Sequence, residues 1–167
     1  MKLSRRQSFK VLASTTVVEL TQQVAFAAAP TIRLIVLDVG GTIFQDRGDV
    51  PDALQNAFAN HGITVTSPEI ALWRGASKRD VVQYFVGERS AATGSHLNTL
   101  VTAVYADFNA RVIEADKDVS PIDGAKTTFR KLLERGYLLA SSTGFGREVA
   151  GSIFRRLGWE RYFTATT

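Results

Sequence analysis

The sequence predicts an α/β fold in which parallel strands are flanked by helices, with a helical lobe inserted after the first strand. Three observations carry this. Residues 31–37 are β-branched or leucine apart from Arg33, and the run meets Asp38 and then Gly40 and Gly41, the pattern of a buried parallel strand entering a loop. Residues 121–158 read helix, strand, helix, the order of a sheet with helices on its faces. Between these parts, apolar residues recur at helical spacing over roughly seventy residues with no strand-like run among them, a length suited to a small lobe.

Residues 1–29 read as a leader. The stretch "MKLSRRQSFK" pairs Arg5 with Arg6 and resembles the twin-arginine export signal of bacteria. A mildly apolar stretch comes next and ends in Ala25-Phe26-Ala27, the small-x-small pattern that signal peptidase cuts, so a mature start near Ala28 is expected. The expected location is periplasmic or exported, with the cytoplasm as the alternative. Glu19, Gln22 and Gln23 interrupt the apolar run, so no stable membrane span is expected there.

Residues 30–46 and 119–167 form the expected core, and residues 47–118 the insert. Within the insert, helices are expected from Leu54, Ala57 and Phe58; from Val81, Val82 and Phe85; and from Leu97, Leu100, Val101, Val104, Tyr105, Phe108 and Val112. The stretch "GERSAATGSH" reads as a loop, and Pro121 and Gly124 mark the return to the core. Phe129, Leu132 and Leu133 then mark a helix that Gly136 ends. Residues 137–142 form a second apolar run. Val149, Ile153, Phe154 and Leu157 share one face of a further helix stopped by Gly158, and "RYFTATT" opens a third strand.

A chain of 167 residues with 45% apolar content is one ordinary domain with a real core. The net charge is +4, but Lys2, Arg5, Arg6 and Lys10 against Glu19 place +3 of it in the first twenty residues. The remainder is nearly neutral, so no nucleic acid partner is expected. The absence of cysteine excludes disulfides, thiolate metal sites and cysteine nucleophiles.

Asp38 lies at the carboxyl end of a buried strand and leads into a glycine loop, the place where ligands bind in open α/β sheets. A carboxylate there can attack phosphorus or ligate magnesium, or it can simply cap a turn. Thr143 and Gly144 hold the matching place after the second strand. A hydroxyl and a backbone amide at the start of a helix make a phosphate site. His61 and His96 have no metal-ligand spacing, and Trp73 and Trp159 are expected to pack rather than bind.

These motifs in order, "LDVGGTI", a helical insert, then "PIDGAKTTFRKLLERGYLLASSTGFGREVA", resemble the haloacid dehalogenase superfamily of aspartate-nucleophile hydrolases. The resemblance implies a partial Rossmannoid core, an α-helical cap, magnesium as cofactor and a small phosphorylated or phosphonate substrate. It makes Asp38 the nucleophile and a metal ligand. The family's Asp-x-Asp-Gly-Thr pattern has its second acid, the proton donor to a leaving alkoxide, where this chain has Gly40, whose backbone carbonyl remains as a metal ligand. The stretch "RGASKRDVV" places Lys78 three residues after Gly75 and resembles the Gly-x-x-Lys of phosphonoacetaldehyde hydrolases. That branch implies an imine between Lys78 and a substrate aldehyde, which makes the carbon the leaving group and removes the need for an acid at position 40. Lysine beside Arg79 and Asp80 is otherwise an ordinary solvated face. The imine role requires a lowered pKa, from burial or from a neighbouring cation such as Arg74 or Arg79. "STGFGRE" resembles the Thr-Thr-Gly-aromatic stretch of the same branch.

The family's third and fourth motifs would lie beyond Thr167, so the expectation is of a C-terminally truncated chain with little turnover. Its open sheet edge would invite pairing with another chain, as in a homodimer. The alternatives are a phosphatase or haloacid dehalogenase of the same superfamily, and a non-catalytic α/β remnant or binding protein.

Overall fold

The computed structural model describes residues 32–166, and the expected leader, residues 1–29, lies outside them. Strand β1, Leu34–Asp38, is followed by helices α1, Asp49–Asn60, α2, Ser67–Ala71, α3, Lys78–Arg89, and α4, Gly94–Ala115. The chain then forms α5, Ala125–Glu134, β2, Leu138–Ser142, α6, Arg147–Leu157, and β3, Ala165–Thr166. The sheet order is β1-β2-β3 and every pairing is parallel. This is the expected α/β core with flanking helices and a helical insert.

Register aligns the carboxyl ends of the strands. Leu34 pairs with Leu138 and Asp38 with Ser142, so β1 and β2 end at the same level and the loops after them lie side by side. The third strand, read from "RYFTATT", pairs Ala165 with Ala140, and Thr164 N–H donates to the Leu139 carbonyl at 2.8 Å. The core beside the sheet is aromatic. Phe129 of α5 meets Trp159 edge-on at 5.1 Å and Phe163 at 5.1 Å, and Phe154 of α6 meets Phe163 at 5.0 Å. Such edge-to-face pairs favour the ring quadrupoles as well as area burial.

In the insert, Leu54, Ala57 and Phe58 of α1 are buried with Val81, Val82 and Phe85 of α3 and Val101, Val104, Phe108 and Val112 of α4. Helical spacing selects these together with Leu97, Leu100 and Tyr105, which are only partly buried. Several details differ from the sequence reading. Among the described residues the first strand runs Leu34–Asp38, starting after residues 32 and 33 and ending one residue beyond 37, because its ladder begins opposite Leu138. It is not buried on both faces: Leu34 is 49% exposed and Val36 55%, because the described helices do not cover that face. The loop in "GERSAATGSH" shrinks to residues 90–93, since Arg89 closes α3 and Gly94 opens α4. The short helix α2 was not expected. It is started by Thr66, whose N–H and hydroxyl both donate to the Glu69 carboxylate, at 2.8 and 2.6 Å.

The insert leaves and rejoins the core through two linkers that run side by side. Phe44 bridges Pro121 in antiparallel fashion, Gln45 N–H donates to the Ser120 carbonyl at 2.9 Å, and Ile122 N–H to the Ile43 carbonyl at 3.0 Å. Arg47 clamps them. Its guanidinium donates to the carbonyls of Asp118 and Ala115, both at 3.1 Å, and to the Asp49 carboxylate at 3.0 and 3.1 Å. Among the described residues no helix is long and apolar enough to cross a membrane.

Candidate active site

Asp38 is the last residue of β1, and the chain beyond it curls at once. Ile43 N–H donates to the Val39 carbonyl at 2.9 Å, and Gly41 takes the turn with φ 75°. That turn brings the Thr42 hydroxyl back to the Asp38 carboxylate, donating to Oδ2 at 3.2 Å. The Thr42 hydroxyl thereby orients the carboxylate.

Beyond β2, the Thr143 hydroxyl accepts the Phe145 N–H at 3.3 Å, tightening the loop that leads through Gly146, the N-cap, into α6. The insert reaches this loop from the other side. Lys78 opens α3, and its backbone N–H donates to the Gly144 carbonyl at 2.9 Å. Its Nζ donates to the Ala76 carbonyl at 2.7 Å. Burial pushes the Lys78 amine below the usual lysine range, while the Asp38 carboxylate pulls it the other way. Of the two cations considered as neighbours, Arg79 lies over the Tyr105 ring at 5.6 Å; Arg74 reaches Asp46, Nη1 to Oδ2, at 3.8 Å. Desolvation, not either arginine, lowers the amine.

A cavity of about 480 Å³ joins these groups: Asp38, Gly40, Lys78, Thr143 and Gly144 all line it. The five residues expected to form the site are therefore brought together. Sequence reading missed the rest of the wall. Asp46 faces the same space, beside Arg74, which the sequence suggests only as a cation near Lys78, and Leu54, Ile70, Trp73 and Phe145 supply its apolar part. No periodicity marks such residues, because they come from separate elements. His61 ends α1 with Nε2 3.7 Å from Asp107, and Trp159 is buried, so neither joins the site.

The two residues expected to supply metal ligands, Asp38 and Gly40, both line the cavity. Among the described residues no group of three or more His, Cys, Asp or Glu could hold a metal ion. Two hard oxygen donors suit magnesium, which usually takes one or two carboxylates and completes its shell with water and substrate phosphate. The groups thus assembled are a carboxylate, a half-buried amine and a polar loop at a helix N-terminus, around one small pocket.

Solved structures of similar fold include a predicted phosphoglycolate phosphatase from Haemophilus somnus, with TM-score 0.63, 16% identity, and 83% of this chain and 63% of that one covered. A phosphonoacetaldehyde hydrolase like protein from Oleispira antarctica gives TM-score 0.64 and 21% identity, covering 84% of this chain and 54% of that one. CbbY from Rhodobacter sphaeroides in complex with phosphate gives TM-score 0.62 and 17% identity, covering 81% and 63%. The chain therefore spans less than two thirds of the length of these structures, and likeness at such identity speaks to fold alone. No curated protein is a significant match to the chain. The family model of haloacid dehalogenase-like hydrolases matches residues 32–167. Spanning the sheet, the insert and both loops of the pocket, that match means that the chain belongs to the haloacid dehalogenase-like hydrolases.

Proposed function

We propose that this hydrolase lineage cleaves a carbon-phosphorus bond in a small phosphonate aldehyde. The observation that carries this reading is the half-buried Lys78 amine, lowered by desolvation, in one pocket with Asp38 where position 40 offers no acid. A neutral amine is a nucleophile toward an aldehyde, and burial shifts an amine toward its neutral form.

Lys78 Nζ adds to the aldehyde carbon, and loss of water leaves an iminium. An Asp38 oxygen bonds to phosphorus as the carbon-phosphorus bond breaks, and the bonding pair passes to carbon, neutralising the iminium as an enamine. Water then releases phosphate from Asp38. The enamine takes a proton at carbon and is hydrolysed to free the aldehyde product and Lys78. Thr143 and Gly144 orient the phosphonate oxygens. Asp38 and the Gly40 carbonyl would hold magnesium, which when bound neutralises charge on those oxygens. No alkoxide leaves, so no acid at position 40 is required.

One observation favours a second reading, phosphate ester hydrolysis: Asp46 places another carboxylate on the cavity wall, held by the Gly48 N–H at 3.0 Å and by Arg74. The test separates the two. Borohydride reduction in the presence of phosphonoacetaldehyde should fix the carbon skeleton on Lys78, read by peptide mass, and Lys78→Arg should lose both trapping and phosphate release. Full turnover by Lys78→Arg would remove the imine mechanism. A Cβ at Gly40 would meet only the Phe44 ring, at 3.8 Å, so Gly40→Asp has space for its side chain. It should raise hydrolysis of a phosphate monoester by about 10²-fold, the lower range of general acid catalysis.

A further inference from the structure

Gly144 and Gly146 have no conformational reason to be glycine. Gly146 has φ −73° and ψ 164°, which any residue adopts, and Gly144 is not among the glycines of positive φ. What excludes a side chain at each is the insert. A Cβ on Gly144 would lie 2.5 Å from the Ala76 carbonyl oxygen and 2.9 Å from Lys78 Nζ. A Cβ on Gly146 would collide with the Tyr105 hydroxyl oxygen. The two contacts come from different places, the turn before α3 and the middle of α4. Tyr105 is itself held in place: its ring stacks with buried Phe108 at 6.1 Å, and the Arg79 guanidinium covers it.

We propose that Gly144 and Gly146 form a saddle on which the helical insert seats, and that Gly146, acting through Tyr105, is a positioning residue for Lys78. The bare Cα of Gly146 lets α4 approach the loop; Gly144 lets α3 approach the same loop and donate the Lys78 N–H to it. A methyl group at either position lifts the insert and returns the Lys78 amine to water. Gly144 tolerates this less, because it meets the main-chain carbonyl of Ala76 as well as Lys78 Nζ, whereas Gly146 meets a single side chain. The inference goes beyond the proposed reaction: it concerns where the amine sits, whatever it reacts with.

The experiment is a mutant cycle in the full chain: wild type, Gly146→Ala, Tyr105→Phe and the double variant. Each is labelled with acetic anhydride across a pH series, and Lys78 is read by peptide mass against Lys126 and Lys131 of α5. Gly146→Ala should raise the Lys78 labelling rate about tenfold, the scale of a modest overpacking penalty, and move its titration back toward ordinary lysine. The double variant should restore wild-type labelling, since the hydroxyl that the new methyl meets is gone. If Gly146→Ala does not fold, the double variant should. The proposal is overturned if Gly146→Ala labels like wild type, if the double variant labels like Gly146→Ala, or if both fail to fold. Absence of borohydride trapping in the wild type would sink the imine reaction while leaving this labelling pattern intact.

Discussion

Asp116 is 6% exposed, carries a carboxylate oxygen with no hydrogen-bond partner, and sits where α4 gives way to the returning linker. Burial pushes its pKa up to about 6 from an ordinary 3.8; Arg156 of α6 opposes this, Asp49 of α1 adds to it, and Arg47 of the linker opposes it. Between pH about 4 and about 6 the folded chain keeps a proton on Asp116 that the unfolded chain releases. Its contribution therefore makes stability fall as pH rises through that window, with the cost present in full above about pH 6. Asp116→Asn should be more stable than wild type at pH 7.5 by on the order of 1–3 kcal/mol, with most of that gap gone at pH 4.5. Urea unfolding at the two pH values checks this, and an equal gap at both would refute it. Asp116 has no sequence signature, since a carboxylate at a helix end is usually solvated. Asp38, Thr143 and Gly144 were legible because a strand followed by glycine or hydroxyl residues is a local pattern. Lys78 was legible only through resemblance, since its burial depends on where α3 lands.

At the scale of elements, most helices were legible because apolar spacing records the face that each one buries. The short helix α2 was missed although Thr66-Ser67-Pro68-Glu69 carries its start: a hydroxyl, a proline in the first turn and a glutamate three residues on. Arg89 reinforces it by pairing with Glu69 and donating to the Thr64 carbonyl at 2.5 Å. The linker clamp was not legible, because Arg47 reaches partners some seventy positions away, Asp118 at a separation of 71 and Ala115 at 68. Arg47→Ala should cost about 1 kcal/mol, a partly exposed charged hydrogen-bond set. It should also speed amide exchange at Gln45 and Ile122 while leaving Leu139 and Ala140 in β2 unchanged. Uniform acceleration across the sheet would mean that the clamp stabilises the whole fold and not the linkers.

For the whole molecule, the exposed sheet face matters most. Leu34 and Leu138 are direct neighbours in the ladder, 49% and 51% exposed, and Val36 is 55% exposed on the same side of β1. Ile32, 70% exposed, lies just before them. Contiguous apolar surface of this kind binds hydrophobic dyes and promotes association, and a strand at the sheet edge adds unpaired backbone groups. Val36→Lys should reduce anilinonaphthalene sulfonate fluorescence and concentration-dependent light scattering, with little loss of stability, because half of Val36 is already in water. Unchanged fluorescence would place the dye elsewhere. The α/β class was legible at this scale, but the open face was not, since an apolar strand reads as buried on both sides until the neighbouring layers are known.

The paired linkers have a consequence for how such a chain can be altered. Gln45 and Ser120, one on each linker, are joined by a backbone hydrogen bond, so the helices between them hang from the sheet like a cassette with adjacent connectors. A different helical cassette spliced at those two points would present a new pocket wall to an unchanged Asp38. The insert's share of the pocket wall and the loop that carries Asp38 can thus be inherited separately, by recombination at two neighbouring joints.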